Sequence, residues 1–207
     1  MIFNMFKKTL IFIFFILPVS CFANDCVKYK QTPKININSP IYNKTVIQSN
    51  ELMDKFHGNV VATLVEDYDI AVDLFSAARG YCVVLKSVDA LIGYNDFSVK
   101  IDSSHKKGSC SYNAILNHED KHINAYLSVL DDLGTDVKNS VFNAADSVMP
   151  IFVPLREDID SAIEEMNYEM RRHPELILMK QKITAAEEIR NKRIDQNEDN
   201  HELKSCF

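Results

Sequence analysis

The first half of the chain alternates between apolar and polar residues and is interrupted at turn-forming residues. β-Branched and aromatic residues recur in residues 34–38, 60–65, 69–74, 81–92 and 97–101. The interruptions fall at residues 39–40, 57–58, 79–80 and 93–96. Alternation with a period of two predicts strands, and the short intervals between the segments favour hairpins.

From Ser111 onward, the apolar residues recur at the three- and four-residue spacing of amphipathic helices. This helical pattern is expected to break at residues 134–136 and again between Pro150 and Pro154. A second helix is predicted over about residues 154–172, and a highly charged third over about 174–196. Strands followed by helices predict an α+β fold, in which a small antiparallel sheet from the N-terminal half packs against a C-terminal helical layer.

The N-terminal residues have the pattern of a secretory signal peptide. Lys7 and Lys8 precede an apolar run that is far shorter than the roughly 20 residues of a membrane-spanning helix. Small residues favour cleavage before Asn24. A lipid anchor at Cys21 is disfavoured, because Pro18 stands where the lipoprotein recognition box calls for an aliphatic residue. We therefore predict a signal peptide over residues 1–23, one domain over 24–174, and a charged C-terminal helix and tail over 175–207.

The charge of the chain argues against a nucleic-acid partner, and its hydropathy argues against an integral membrane domain. The 207 residues include 23 Lys and Arg and 29 Asp and Glu, a formal net charge of −6, which becomes −8 when Lys7 and Lys8 leave with the signal peptide. An acidic chain lacks the basic field that holds a phosphate backbone, so nucleic acid is not an expected partner. No later segment is long and apolar enough to span a bilayer, so no integral membrane domain is expected. The oligomeric state stays open.

An even number of cysteines follows the predicted signal peptide. They are Cys26, Cys82, Cys110 and Cys206. In the oxidising compartment of a secreted or periplasmic protein we expect two disulfides, for which three connectivities are possible. We prefer Cys82 with Cys110 and Cys26 with Cys206, because the first bond would join the sheet to the first helix and the second would hold both ends of the chain.

The most specific chemical feature is the sequence from His118 to His122, which matches H-E-x-x-H. On a helix, residues four apart lie one turn above each other, so both imidazoles can bind one zinc ion. Glu119 can then face a zinc-bound water as a general base. An apolar stripe at helical spacing supports a helix here. It contains Tyr112, Leu116, Ile123, Leu127 and Leu130.

A catalytic zinc needs a third protein ligand. On the predicted second helix, Glu169 and His173 lie one turn apart on one shoulder of the apolar stripe. Glu169 is the preferred third ligand and His173 the alternative. Tyr126 and Tyr168 are candidates for donating a hydrogen bond to a developing oxyanion.

These residues resemble a bacterial family of secreted zinc-dependent proteases that is catalogued mainly as a domain of unknown function. The resemblance is carried by Gly80-Tyr81-Cys82-Val83-Val84, Gly108-Ser109-Cys110 and Ile115-Leu116-Asn117-His118-Glu119-Asp120-Lys121-His122. It spans roughly residues 59–126. Residues 168–173 are similar to a downstream segment of the family, although Pro174 stands where its glycine is expected. The resemblance implies a peptidase and no particular substrate.

Two hypotheses from different functional classes follow. The first is an exported zinc-dependent hydrolase, a metallopeptidase that uses a zinc-bound water with Glu119 as general base on a peptide or protein substrate. The alternative is a non-enzymatic exported binding or structural module with an incomplete or structural metal site. Metal content discriminates between them, because the first predicts about one zinc per chain.

Overall fold

In the computed structural model, which describes residues 26–50, 57–197 and 205–206, five strands pack against three helices. The strands are β1 (Lys34–Asn38), β2 (Asn43–Ser49), β3 (Gly58–Ala77), β4 (Gly80–Asp102) and β5 (Ile151–Val153). The helices are α1 (Cys110–Ser147), α2 (Ile159–Arg171) and α3 (Pro174–Asn197), with 3-10 turns at Val27–Tyr29 and Arg156–Asp158. Most strands precede the helices, as expected for the predicted α+β class.

The sheet is mixed, with β4 as its central strand. β3 pairs antiparallel with β4 over nearly its whole length, and the short β5 pairs antiparallel with its beginning. β1 and β2 pair parallel with β4 on the side opposite to β3. The prediction of an antiparallel sheet is therefore wrong. Side chains alternate between the two faces with a period of two in every strand, so alternation cannot distinguish the two pairings.

β3 and β4 are longer than the predicted strands, with 20 and 23 residues. The turn-like residues 93–96 lie inside β4, where the pairing with β3 shifts register between Ala62 and Leu64. Gly93, with a φ of 155°, pairs with Val65 just before this irregularity. An extra residue in one strand bends a ladder without ending it, so the polar run forms a bulge rather than a hairpin turn.

One face of the sheet is buried against the helices in two clusters. The larger cluster joins the first half of β4 to the C-terminal half of α1, to α2 and to the beginning of α3. The smaller cluster joins the second half of β4, including Phe97 and Val99, to the first turns of α1 through Tyr112, Ile115 and Ile123. The H-E-x-x-H turn therefore lies beside the end of the sheet where β4 ends and β3 begins.

α1 continues for 38 residues, so the predicted break at residues 134–136 is wrong. A glycine inside a helix costs about 1 kcal/mol relative to alanine. Val137 and Val141, which follow Gly134, are 3% and 0% exposed. Burying a valine side chain contributes about 1.5–3 kcal/mol, which exceeds the cost of the glycine. Packing of the second half of α1 therefore maintains the helix through this position.

α3 packs along α1 in the opposite direction. Its buried apolar residues in the larger cluster are Leu176, Met179 and Ile183. Lys182 pairs with Asp136 and, two turns later, Arg190 pairs with Asp132. Residue numbers therefore increase along α3 in the direction in which they decrease along α1. The C-terminal end of α3 thereby reaches the turn of α1 that carries the H-E-x-x-H motif.

Two disulfides join Cys26 to Cys82 and Cys110 to Cys206, with Cα–Cα distances of 5.4 and 5.5 Å. The expectation of two disulfides is confirmed, but the preferred pairing is wrong. Cys82 lies in a small cluster with Cys26, whereas its neighbour Val83 belongs to the helix-covered core. Because neighbouring residues of a strand point to opposite faces, Cys82 points away from α1 and from Cys110.

Two observations bear on where the protein resides. Disulfides form and persist in oxidising compartments, so the two bonds fit a protein outside the cytoplasm. Within the described part of the chain, none of the helices combines the length and the apolar character needed to cross a membrane. The predicted signal peptide lies outside the described residues.

Candidate metal centre

The two histidines of the motif face each other near the beginning of α1. They are four residues apart, so helical geometry places one imidazole a turn above the other. Nε2 of His118 lies 3.1 Å from Nε2 of His122. Oδ1 of Asp195, on α3, lies 3.4 Å from Nε2 of His118 and 3.2 Å from Nε2 of His122. Three potential donor atoms from two helices therefore form a triangle.

This triangle has the size of one face of a zinc coordination tetrahedron. Zinc–ligand bonds of about 2.0–2.1 Å place neighbouring ligand atoms of a tetrahedron roughly 3.3–3.4 Å apart. Two imidazoles and one carboxylate, with a fourth position open, are also a donor set that catalytic zinc uses. Among the described residues, these three form the group of His, Cys, Asp and Glu side chains whose donor atoms all lie within 4.8 Å of one another.

The donor atoms border a cleft between the beginning of β3, α1 and α3. His118 is 7% exposed, whereas 39% of the Asp195 side chain is exposed. The cleft has a volume of about 190 Å³. Besides the three donors, it is lined by Gly58, Asn59, Val60, Glu119, Tyr126 and Asn191. The triangle is therefore enclosed on the side of α1 and accessible on the side of Asp195.

Glu119 packs against the first residue of β3. It is 2% exposed. A Cβ atom on Gly58 would lie 2.4 Å from Oε1 of Glu119 and 2.7 Å from Cγ2 of Ile115, which is closer than side chains tolerate. Only a glycine at position 58 lets the strand approach the motif this closely. In the sequence, Gly58 is visible only as a break before a strand.

Asn191 contacts one of the histidines of the motif. Nδ1 of His122 lies 2.9 Å from Oδ1 of Asn191, so the imidazole N–H donates to the amide oxygen. Asn191 and Tyr126 line the same cleft. Burial raises the pKa of Tyr126, and the neighbouring amide of Asn191 offsets part of this increase. The oxyanion candidate Tyr126 thus belongs to the wall of the cleft.

Three residues predicted for the site lie elsewhere. The preferred third ligand, Glu169, is an exposed residue of α2. The alternative ligand His173 precedes α3, where its Nδ1 accepts a hydrogen bond from the backbone N–H of Glu175. Tyr168 is 60% exposed and accepts a hydrogen bond from the guanidinium group of Arg172. None of the three belongs to the described group of donor side chains.

The position of α2 explains this difference. Arg171, at the end of α2, donates to the carboxylate of Asp67 at 2.8 Å and to the carbonyl oxygen of Tyr68 at 3.0 Å, in the middle of β3. The strand from Gly58 to Asp67 covers roughly 30 Å at about 3.3 Å per residue. The end of α2 is therefore distant from the motif, and α3 supplies the neighbouring carboxylate, Asp195.

Asn191 and Asp195 line the cleft but are not among the site residues predicted from the sequence. The sequence of α3 nevertheless contains a signal for them. Residues four apart lie one turn above each other on a helix, and on α3 such steps connect Met179, Ile183, Glu187, Asn191 and Asp195. The first two are buried in the core, Glu187 is 9% exposed, and the last two line the cleft. When a row of buried apolar residues continues as polar residues near the end of a helix, those polar side chains are candidates for contacting other polar groups inside the protein.

The H-E-x-x-H residues that carry the resemblance to secreted zinc-dependent proteases lie in this cleft. That resemblance stays a prediction from the sequence, and the functional argument depends on the geometry of the cleft. The chain matches no protein-family model, and comparisons with curated proteins and with solved structures gave no match.

Proposed function

We propose that the protein is an exported zinc-dependent hydrolase, and more specifically a metallopeptidase. The observation that carries the proposal is the triangle of His118, His122 and Asp195 beside the buried Glu119. Two imidazoles, a carboxylate and an adjacent acid are the side chains that zinc-assisted hydrolysis requires. All four border one accessible cleft.

The metal would be held by Nε2 of His118, Nε2 of His122 and a carboxylate oxygen of Asp195. When bound there, zinc lowers the pKa of a water molecule toward neutrality and polarises a substrate carbonyl group. The hydrogen bond from Nδ1 of His122 to Asn191 keeps the lone pair of Nε2 available for the metal. Nε2 of His122 is thus the nitrogen that can face a metal.

Glu119 is placed to act as the general base. It follows His118 on α1 and borders the same cleft as the donor atoms. Gly58 packs closely against its carboxyl group and restricts its position. Glu119 takes the proton from the attacking water and later passes it to the leaving amine, so the residue returns to its starting state after each cycle.

Tyr126 is placed to stabilise the negative charge that develops on the substrate oxygen. It lines the cleft one turn after His122, and its ring packs against Tyr94 with 5.3 Å between the ring centroids. A hydroxyl donor fixed in a partly enclosed cleft stabilises an oxyanion better than a mobile, hydrated one. Tyr168 lacks such a setting because it is exposed on α2.

A secreted or periplasmic location and a peptide or protein substrate complete the proposal. The two disulfides and the predicted signal peptide support export. The alternative, a non-enzymatic exported module, was motivated by the lack of a clear third ligand. Asp195 is a candidate for that ligand, so the hydrolase is the favoured function.

Metal content and a conservative substitution of the base test the proposal. Purified mature protein is expected to bind about one zinc per chain, and His118→Ala or Asp195→Ala should lose it. Glu119→Gln leaves the donor atoms in place, so it should retain zinc and lose hydrolysis of a peptide library by ~100-fold or more. Glu165→Gln, at an exposed position of α2, is the matched control and should retain both properties.

Two results would count against this function. Protein that folds normally without zinc and does not respond to chelators would favour the non-enzymatic module. Unchanged hydrolysis in Glu119→Gln would remove the proposed mechanism even if zinc were bound.

A further inference from the structure

Two further histidines lie side by side at the end of the sheet where β4 ends and β3 begins. His57 immediately precedes β3, and His105 lies in the turn after β4. Their rings meet edge to face, with 5.0 Å between the centroids and an angle of 74° between the ring planes. The candidate ligands His118 and His122 are arranged in almost the same way, at 4.8 Å and 75°. A second pair of imidazoles thus has the relative geometry of the pair in the candidate metal centre.

The spacing of this second pair suits two imidazoles that share one metal ion. A zinc–nitrogen bond of about 2.0–2.1 Å places the ring centroid roughly 3.2 Å from the ion, so two rings at neighbouring corners of a tetrahedron have centroids ~5 Å apart. Imidazole is a common ligand of zinc, copper and nickel. The pair therefore fits a divalent transition-metal ion.

His105 has one ring nitrogen that the described residues do not pair. The residue is 9% exposed, and its Nδ1 lies 3.0 Å from Oγ of Ser111. Its Nε2 is buried and, within the described part of the chain, has no hydrogen-bond partner. Buried polar atoms are almost always paired, with water and ions among the partners, so this nitrogen points to a ligand.

The carboxylate of Asp102 lies beside the same pair of histidines. Its Oδ1 accepts a hydrogen bond from the backbone N–H of Ser104 at 2.8 Å, and its Oδ2 lies 3.9 Å from Nδ1 of His57. In the candidate metal centre, Oδ1 of Asp195 lies 3.4 and 3.2 Å from the two imidazole nitrogens. The carboxylate is therefore more widely spaced here, and an ion that draws it in should bind more weakly than in that centre.

His57 is held in an uncommon backbone conformation. Its φ is 60°, and among the described residues only glycines share a positive φ. Its carbonyl oxygen accepts a hydrogen bond from the backbone N–H of Asp102 at 2.9 Å, which fixes the residue beside β4. Residues in sparsely populated backbone regions cluster at functional sites. Because 44% of the His57 side chain is exposed, an ion in solution can reach it.

We propose that His57, His105 and Asp102 form a second binding site for a divalent transition-metal ion, separate from the candidate metal centre. Nε2 of His105 binds the ion, together with an imidazole nitrogen of His57 and Oδ2 of Asp102, and water fills the remaining positions. The residue after His57 is Gly58, which packs against Glu119. An ion at this site therefore stabilises the end of β3 that contacts the proposed general base.

Metal titrations separate this site from the candidate metal centre. In excess Zn²⁺, untagged mature protein should take up a second equivalent, bound more weakly than the first. A variant that carries both His118→Ala and His122→Ala should still bind one Zn²⁺ or Ni²⁺. Adding His57→Asn or His105→Gln should weaken this binding by more than the ~10-fold that loss of an outer-shell partner costs.

The substitutions are chosen to preserve the backbone. Asparagine, like histidine, tolerates the positive φ of position 57. The matched control is His173→Asn, which removes a histidine on the chain before α3 and keeps an acceptor for the backbone N–H of Glu175. This variant should retain the second equivalent.

Histidine NMR locates the second ion without any substitution. In the unmodified protein, the first equivalent of Zn²⁺ should shift the imidazole resonances of His118 and His122. The second should shift those of His57 and His105. This measurement decides the question even if a variant fails to fold.

The outcomes that overturn this inference differ from those that overturn the proposed function. Retention of the second equivalent by His57→Asn and His105→Gln would overturn the inference. So would a second equivalent that leaves the resonances of His57 and His105 unchanged, because the ion would then bind elsewhere. A protein whose single bound ion is lost in His57→Asn but kept in His118→Ala would support this site and contradict the proposed function.

Discussion

Gly58 shows how a residue without a side chain can determine the position of a reactive group. The first residue of β3 touches the carboxyl group of Glu119, and the space between them does not admit a methyl group. The contact fixes Glu119 from outside its own helix. The backbone of Gly58 does not have a positive φ, so any effect of a substitution there comes from this contact and not from backbone strain.

Gly58→Ala is expected to displace Glu119 while leaving the three donor atoms in place. Overpacking of this kind costs about 1–3 kcal/mol of stability, and hydrolysis should fall by ~10-fold or more because the base is misplaced. Thermal unfolding, zinc content and peptide hydrolysis measure the three effects.

Gly134→Ala is the matched control for this substitution. A Cβ atom at position 134 would have no neighbour within 4 Å, and alanine favours the helix by about 1 kcal/mol over glycine. This variant should therefore be more stable, with unchanged hydrolysis. Equal hydrolysis in Gly58→Ala and in the unmodified protein would show that the contact with Glu119 is not needed.

At the scale of elements, α3 changes character along one face. Its first turns bury apolar side chains in the core, and its last turns bring Asn191 and Asp195 to the motif on α1. Between them lies Glu187, which is 9% exposed and accepts a hydrogen bond from the hydroxyl of Tyr94 on β4. Burial, together with the nearby charge of Glu188, raises the pKa of Glu187 from 4.5 to about 7.

This carboxyl group should make the stability of the protein depend on pH. Because its pKa is higher in the folded state, the folded protein binds more protons than the unfolded chain between about pH 4.5 and pH 7. Stability therefore falls as the pH rises through this range, by an amount on the order of 2–3 kcal/mol from this group. Glu187→Gln should remove that part of the dependence and be the more stable protein above pH 7.

Urea unfolding at a series of pH values measures this difference. Glu164→Gln, at an exposed position of α2, should run parallel to the unmodified protein and is the control. A constant difference between Glu187→Gln and the unmodified protein at every pH would show that Glu187 does not titrate in this range.

The parts of the centre that the sequence predicts are the local ones. His118, Glu119, His122 and Tyr126 lie on one helix, whose periodicity is visible without knowledge of the rest of the chain. Asp195 joins them only through the antiparallel packing of α3 on α1, a long-range contact that a motif does not encode. Glu169 lies beside the apolar stripe of its helix, which makes it a candidate ligand from the sequence alone. In the structure, however, α2 contacts β3 far from the motif.

The pairing of the strands likewise depends on long-range contacts that the sequence pattern does not predict. Alternation located the strand-forming regions, but neither the parallel pairing of β1 and β2 nor the bulge near Gly93 can be predicted from a period of two. The disulfides were predicted by number and compartment. Their pairing depended on which face of β4 carries Cys82, which became clear only with the positions of the helices.

At the scale of the whole molecule, the two disulfides stabilise different regions. Cys110 is the first residue of α1, and its partner Cys206 comes after α3 in the sequence, so this bond joins the beginning of α1 to the part of the chain that follows α3. The bond between Cys26 and Cys82 lies in the cluster on the opposite face of the sheet. The two bonds should therefore differ in their influence on metal binding.

Replacing Cys110 and Cys206 by serine should weaken zinc binding as well as stability. Loss of a disulfide costs about 2–4 kcal/mol, and a loosened end of α3 would lower the population in which Asp195 is in place, reducing zinc affinity by ~10-fold. Serine at Cys26 and Cys82 should lower stability without changing zinc affinity. Calorimetry and chelator competition, both at a temperature where all variants are folded, measure the two effects. Equal zinc affinities in the two double variants would refute this distinction.

The order in which the three candidate metal ligands are synthesised has a consequence for the proposed hydrolase. His118 and His122 are made long before Asp195, which lies near the end of the last described helix. A nascent chain therefore carries the recognisable motif but has only two of the three donors. It completes the centre only when α3 docks against α1, and the bond between Cys110 and Cys206 can secure that arrangement only under oxidising conditions. The proposed hydrolase would therefore be inactive until α3 has been made and has docked against α1.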